Sequence, residues 1–377
     1  MEPPDQPGAR YPRALLVSGA LGMGHAVTAQ ACADSLAAQG WSVQTVDAMR
    51  LLGRRAGSAG ERVFRSMIAV PGLYDAFHFA ALRPGTRLAL LADAGARRQL
   101  IPRLAEYLDR YPADLAISVF ATGASAISAL AGRYPAMTHV VLCWDVTPHR
   151  LWVNPNVDLY LVTSQAAERA VRRFQPRARV RIVPAPVQAA CYTPPARAGA
   201  RDTLGIPGRV PCVLLMSGGW GLGPVAKAAA ALGDAGVHVL AVAGHNARLE
   251  ATLRAVAARQ PRVRAFGFTD RVPELMAAAD LVITSPGGTC AEARVVGRPL
   301  LVLDVLPGHG RDNLQHELEL GSAAVTSGRP RDIVASALAA LAAGDEMKPA
   351  YGAGDWAAAF SSALAELDLA GPRPGPP

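Results

Sequence analysis

The chain has 377 residues, 51% of them hydrophobic and 18% charged, which is about two domains' worth of sequence and excludes global disorder. No stretch reaches the ~18 uninterrupted apolar residues of a membrane span, which excludes an integral helical membrane protein. The net charge is +8 and sits entirely in the first half: residues 1–190 hold 21 Arg and no Lys against 13 acids, and the remainder holds 17 basic residues against 17 acidic ones.

Residues 1–12 are polar and Pro-rich and read as a loose tail. Arg10 and Arg13 precede an apolar stretch in the manner of a secretory leader, but Gly19, Gly22, Gly24 and His25 interrupt it. That pattern fits a strand (14–18), a loop and a helix (26–39) in a cytoplasmic protein. A second strand follows at 41–46. Residues 49 to about 111 read as helical and basic, with 10 Arg against 3 acids between 49 and 103. The same segment carries Phe64, Met67, Ile68, Tyr74 and Phe77, and basic residues beside apolar ones suit a surface that docks on anionic lipid. Arg50, Arg54, Arg55, Arg62, Phe64, Arg65 and Met67 are its candidate contacts. No nucleic-acid-binding motif accompanies the charge, so a nucleic-acid partner is not expected.

Short apolar strands are predicted at 115–119, 140–144, 159–163 and 180–183, with helices at 123–133 and up to Phe174. Proline density from Pro184 to Pro211 predicts an interdomain linker, with a short helix near 202–205. A second alternating series follows, with strands at 213–216, 237–242, 263–266, 281–284 and 300–303. Helices fill its gaps at 223–232, 247–259, 272–278 and 290–296, and 333–341 and 356–367 close the chain. Two successive βα series predict an α/β protein of two doubly wound parallel sheets facing a central cleft. The five cysteines, Cys32, Cys143, Cys191, Cys212 and Cys290, show no CxxC or His/Cys spacing, which points to reduced thiols and to no zinc site.

Three glycine-rich turns each follow a predicted strand and precede a helix: 19–25 (GALGMGH), 217–223 (SGGWGLG) and 285–292 (SPGGTCAE). Such turns bring backbone N–H groups and the positive end of a helix to an anion. They match neither a G-x-G-x-x-G fingerprint nor a P-loop. His25, at a helix start, has the ordinary pKa of a general base. Glu292, one turn into its helix, suits a ribose diol. Asp145 and His149 follow the strand at 140–144 and line the same predicted cleft. The absence of Asp-x-Asp argues against a metal-bridged diphosphate, and the lack of G-x-S-x-G and H-E-x-x-H removes the commonest hydrolase readings.

Taken in order, GALGMGH (19–25), DVTPHRLWVNPNVDLY (145–160), MSGGWGLGPV (216–225), AGHN (243–246), GFTDRVPELMAAADLVIT (267–284), PGGTCAEARVVGRPLL (286–301) and PGHGRDN (307–313) resemble the monogalactosyldiacylglycerol synthase branch of glycosyltransferase family 28. The resemblance covers about residues 13–345. It implies a GT-B fold, with an acceptor- and membrane-facing domain (13–190), a UDP-sugar domain (205–345) and a C-terminal helix closing the interdomain region (346–370). It further implies an inverting, metal-independent hexosyl transfer from a UDP-hexose to a lipid hydroxyl, with no cofactor, by a protein peripheral on the inner face of the membrane. By the same resemblance His25 is the catalytic histidine and Asp145 belongs with it, while His149 lies on the acceptor side. Gly22, Gly24, Ser217, Gly218, Gly219 and Gly221 shape the loops around the donor. Phe268 matches a position whose backbone meets uracil. Gly287, Gly288 and Thr289 form the turn before Glu292, which holds the ribose. The Gly-Gln-Glu stretch that reads sugar hydroxyls in the family is Gly308-His309-Gly310 here, followed by Asn313, so galactose, glucose and N-acetylglucosamine stay open as the hexose. A soluble natural-product glycosyltransferase, a UDP-sugar epimerase on the same scaffold and an inactive UDP-sugar- or lipid-binding protein are the alternative readings.

Overall fold

The computed structural model describes residues 11–19, 24–53, 86–218, 221, 223–306, 309–321, 323–344 and 356–367. The order of elements in the first half is β1 (Arg13–Ser18), α1 (Gly24–Ala38), β2 (Ser42–Asp47), α2 (Ala48–Leu51), α3 (Arg87–Arg110), β3 (Leu115–Ser118), α4 (Ala121–Leu130), β4 (Thr138–Cys143), β5 (Leu159–Val162), α5 (Gln165–Phe174) and β6 (Val180–Ile182). The second half runs α6 (Arg197–Thr203), β7 (Cys212–Met216), α7 (Val225–Asp234), β8 (His238–Val242), α8 (Ala247–Ala257), β9 (Val263–Phe266), α9 (Val272–Ala278), β10 (Leu281–Thr284), α10 (Gly288–Val295), β11 (Leu300–Asp304), α11 (His309–Glu319), β12 (Ala323–Ser327), α12 (Pro330–Ala343) and α13 (Trp356–Ala365).

Each half is a six-stranded parallel sheet, in the orders β2-β1-β3-β4-β5-β6 and β12-β11-β10-β7-β8-β9. The inner strands are short continuous apolar runs such as LVIT and CVLLM, buried throughout because helices cover both faces, whereas the edge strands β2, β6, β9 and β12 are partly exposed. Alternate residues of β1 feed opposite cores: Ala14 and Leu16 pack with Cys32 and Leu36 of α1, and Leu15 and Val17 with Leu100 and Leu104 of α3. Side-chain caps start several helices. Ser164 accepts from the Ala167 amide at 3.0 Å and Asn246 from the Leu249 amide at 3.0 Å, contacts worth ~1 kcal/mol each.

Both sheets reverse direction of growth partway across. In the first the switch lies between β1 and β3, and in the second between β7 and β10. A crevice opens at the carboxyl ends of the strands at such a point, because the connecting helices leave to opposite faces.

Two elements lie beyond the sequence expectation, α11 and β12. Helix α11 reads HGRDNLQHELE and β12 reads AAVTS. The helix is too polar and the strand too small-residued to show an apolar period, and β12 forms only by pairing with β11 over five positions. The proline-rich stretch also differs from the expected linker. Val183 packs in a core of the first half, whereas Val187, Cys191, Ala200, Leu204 and Ile206 pack in a core of the second. Ala185 already packs against that second core, so the chain crosses here within Pro184-Ala185-Pro186. Arg201 anchors the rest of the stretch: its buried guanidinium donates to the carbonyls of Ala278 (2.9 Å) and Gly208 (2.8 Å) and pairs with Asp280 at 2.6 Å.

Helix α13 returns to the first half, where Trp356, Phe360 and Leu364 pack in the core beside α1. The Arg181–Glu366 ion pair at 2.6 Å and a Gln39–Ser361 hydrogen bond at 3.0 Å flank that contact. All five cysteines are free and buried. No helix among the described residues is long and apolar enough to cross a membrane.

Candidate active site

His25 enters α1 directly from the loop after β1, at the switch point of the first sheet. Gly24 is required there, because a Cβ on it would stand 2.3 Å from Cζ2 of Trp144. The His25 ring is held edge-on between Phe120 (centroids 5.5 Å apart) and Trp144 (6.3 Å), with Trp152 also at 6.3 Å. Its Nδ1 lies 2.6 Å from the carbonyl of Val119, just past β3. A carbonyl only accepts, so Nδ1 carries the proton and Nε2 presents a lone pair. Burial pushes the pKa of His25 below its ordinary value, partly offset by the Asp145 carboxylate and by the Val119 carbonyl. The imidazole is therefore neutral at pH 7 and able to take a proton.

Asp145 is fixed by the indole Nε1 of Trp152, which donates to its Oδ2 at 2.8 Å. His149 lies against the same indole, 6.3 Å between centroids. The structure thus gathers His25, Asp145 and His149 around Trp152. The tryptophans and the Val119 carbonyl were not among the sequence-predicted site residues. Trp144 and Trp152 fall within or beside the quoted DVTPHRLW stretch, but only the folded chain shows that they wall the histidine. Trp144 Nε1 is buried and makes no hydrogen bond among the described residues.

The second group stands at the switch point of the second sheet. Ser217 follows β7, is almost wholly buried, and its Oγ makes no hydrogen bond among the described residues. Gly218 and Gly221 adopt φ values of +59° and +56°. Gly221 admits no other residue, since a Cβ would meet the Ala243 carbonyl oxygen at 2.7 Å and Leu249 at 2.6 Å. After β10, Gly287, Gly288 and Thr289 turn the chain into α10, with the Cys290 amide donating to the Gly287 carbonyl at 2.9 Å. Glu292 faces inward from α10 at 7% exposure. Burial raises its carboxyl to about 7, moderated by a hydrogen bond from Gln188 Nε2 at 3.3 Å.

Phe268, after β9, is 56% exposed and stacks on His245 with centroids 4.1 Å apart and planes 15° apart. His245 belongs to the quoted AGHN stretch, and its pairing with Phe268 arises because β8 and β9 are neighbours. His309 begins α11. Gly310 lies close enough to Leu306 that a Cβ would approach its Cβ to 2.3 Å, and Asn313 is buried one turn on. Arg294 of α10 and Glu317 of α11 form a buried bidentate ion pair that fastens the two helices. Neither was a candidate from sequence.

Gly22, Gly219, Arg54, Arg55, Arg62, Phe64, Arg65 and Met67 lie outside the described residues. Arg50, on α2, is 90% exposed beside Asp47 at 3.9 Å. No group of three or more His, Cys, Asp or Glu side chains suited to a metal occurs among the described residues. A separate pocket of ≈ 230 Å³ lies at the amino ends of β7, β10 and β11, between Pro211, Asp280, Pro299 and the end of α12. None of the sequence-predicted site residues lines it.

Two family models match the chain: monogalactosyldiacylglycerol (MGDG) synthase over residues 74–187, and the glycosyltransferase family 28 C-terminal domain over residues 224–325. Among curated proteins, a probable monogalactosyldiacylglycerol synthase of Nicotiana tabacum is 34% identical over 187 residues, 46% of this chain and 35% of that protein. A probable monogalactosyldiacylglycerol synthase 2 of Oryza sativa is 28% identical over 341 residues, 84% of this chain and 71% of that protein. The alignments to the tobacco, soybean and Arabidopsis proteins span 35–44% of those relatives' length. Among solved structures, MurG of Acinetobacter baumannii superposes with a TM-score of 0.57 at 15% identity, covering 96% of this chain and 99% of that one. MnaA of S. aureus with UDP gives 0.65 at 13% identity, covering 96% and 98%. At these identities the likeness to solved structures speaks for the fold, which is GT-B.

Proposed function

We propose, from the premise that this chain is a GT-B glycosyltransferase related to the monogalactosyldiacylglycerol synthases of family 28, that it moves a hexose from a UDP-sugar to a lipid hydroxyl of the diacylglycerol type. The transfer is inverting and uses no metal. One observation carries the reading: the predicted loops occupy the two switch points, the histidine at one and the Ser217 turn with Glu292 at the other. Crevices at switch points are where doubly wound sheets take their ligands.

In this mechanism the acceptor hydroxyl gives its proton to Nε2 of His25 while its oxygen bonds to the anomeric carbon. The bond from that carbon to the diphosphate breaks on the opposite face, and UDP leaves with the electron pair. The imidazolium so formed is stabilised by Asp145, held in place by Trp152, and by the Val119 carbonyl on Nδ1. The growing charge on UDP is met by the Gly218 N–H and by the Ser217 hydroxyl, which has no partner among the described residues, aided by the amino end of α7. Glu292 takes the ribose hydroxyls, and the Phe268 backbone takes the base. The Arg-rich segment beginning at Arg50 docks the first half on anionic lipid.

The test incubates the protein with a membrane lipid extract and each labelled UDP-hexose in turn, then identifies labelled lipid by mass. A hexosyl lipid that appears only with the protein supports the reading. Acceptor-independent conversion of UDP-N-acetylglucosamine would instead identify an epimerase. UDP binding without transfer to any acceptor would identify a binding protein.

A further inference from the structure

The chain passes from one half to the other in three residues. Val183 is anchored in a core of the first half, while Ala185 packs against a core of the second and Val187 is buried in it, so the chain crosses here within Pro184-Ala185-Pro186. Its two prolines fix their own φ and restrict the residues before them. Gln188 comes one residue after Val187. It caps a short 3₁₀ turn, Ala189–Cys191, whose last residue is again buried in the second core. Anchors on both sides therefore hold the Gln188 backbone in one place. Its side chain crosses to α10 and donates from Nε2 to Oε1 of Glu292 at 3.3 Å.

This is the one hydrogen bond made by the Glu292 carboxylate among the described residues. The charged groups nearby do not replace it. Arg294 and Glu317 are paired with each other. The thiols of Cys191 and Cys290, which face Glu292 from the 3₁₀ turn and from α10 itself, are held neutral by burial.

We infer that Gln188 is a positioning residue for the donor acid: it orients the Glu292 carboxylate for a diol, and it ties that acid to the interdomain crossing. The inference rests on the assignment of Glu292 to the ribose. An ionised carboxylate accepts from both ribose hydroxyls, whereas the protonated acid has lost one acceptor. Donor affinity therefore falls as pH drops through about 7, where the Glu292 carboxyl titrates. Without the Gln188 N–H, which favours the charged form, that transition moves to higher pH.

The experiment titrates the full chain with UDP-galactose by calorimetry from pH 5.5 to 9. A UDP-hexose is used because its diphosphate has no proton exchanging near neutrality. Three proteins are compared: the unaltered chain, Q188M, which keeps the volume and loses the donor, and E292Q, which cannot ionise. Q188M should match the unaltered chain within about twofold at pH 9 and bind about tenfold more weakly at pH 6, its midpoint displaced upward by about one unit. E292Q should bind weakly with no transition near pH 7. If E292Q keeps both the affinity and the transition, the ribose role of Glu292 fails. If E292Q abolishes the transition while Q188M overlays the unaltered profile, the Gln188 role alone fails. A Q188M defect of equal size at every pH also overturns it, because that is the mark of a merely structural change.

Discussion

Replacing His25 with alanine removes the proposed base while sparing the donor side. The magnitude comes from the role of the ring in place. General base catalysis contributes ~10²–10⁴ in rate, or about 2.7–5.4 kcal/mol of barrier at 1.36 kcal/mol per decade. The upper part of that range applies here, because the Val119 carbonyl already fixes the proton on Nδ1 and burial already keeps Nε2 bare, so no preparation precedes the reaction. Loss of the ring also leaves a gap between Phe120, Trp144 and Trp152 and an unpaired Val119 carbonyl, costing ~1–3 kcal/mol of stability. H25A should therefore remain folded and show about three to four decades less turnover, with UDP affinity within about twofold of the unaltered chain. Steady-state transfer to lipid and calorimetric UDP binding read the two quantities separately. Turnover within tenfold of normal would refute the base assignment, and a UDP affinity lost in parallel would mean that the ring supports the donor site instead.

Three other outcomes are expected. Asp145 raises the pKa of His25 against the lowering effect of burial, so D145N should lower it further; the acid limb of the turnover profile then moves to lower pH while the plateau falls, and a limb moving upward would contradict the arrangement. Glu317 is 4% exposed and pairs bidentately with Arg294, so E317A strands a buried cation and should cost ~3–5 kcal/mol in denaturant unfolding; a loss under 1 kcal/mol would show that the pair is solvated. Exchanging Arg50, Arg54, Arg55, Arg62 and Arg65 for Ser should reduce sedimentation with anionic vesicles and flatten its salt dependence, and unaltered binding would refute the docking role of these residues.

Much of this architecture is legible along the chain. Strands 263–266 and 281–284 match the sequence reading to the residue; for 281–284 the reason is that a strand buried on both faces needs an uninterrupted apolar run. The glycine-rich turns are equally plain, since close backbone approach at positions such as Gly221 tolerates nothing else. Less of the site is visible. His25 and Glu292 stand out by residue type and position, but Trp152, Gln188 and the Arg294–Glu317 pair do not. Their roles depend on partners 7, 104 and 23 residues away, and no local pattern encodes such a separation.

The sequence by itself determined two βα series, the turns between them and the residue types offered at each turn, because periodicity and backbone sterics act over a few neighbours. Strand order was decided only by the tertiary structure: β1 beside β3 and β7 beside β10 are pairings between distant segments, favoured by shared burial and not by adjacency. That order creates the switch points, brings the Val119 carbonyl to His25, and lets a three-residue crossing set Gln188 against Glu292. It also makes a strand of Ala323–Ser327, whose composition alone would leave it a loop, because a neighbouring strand supplies the hydrogen bonds that its own side chains do not compel.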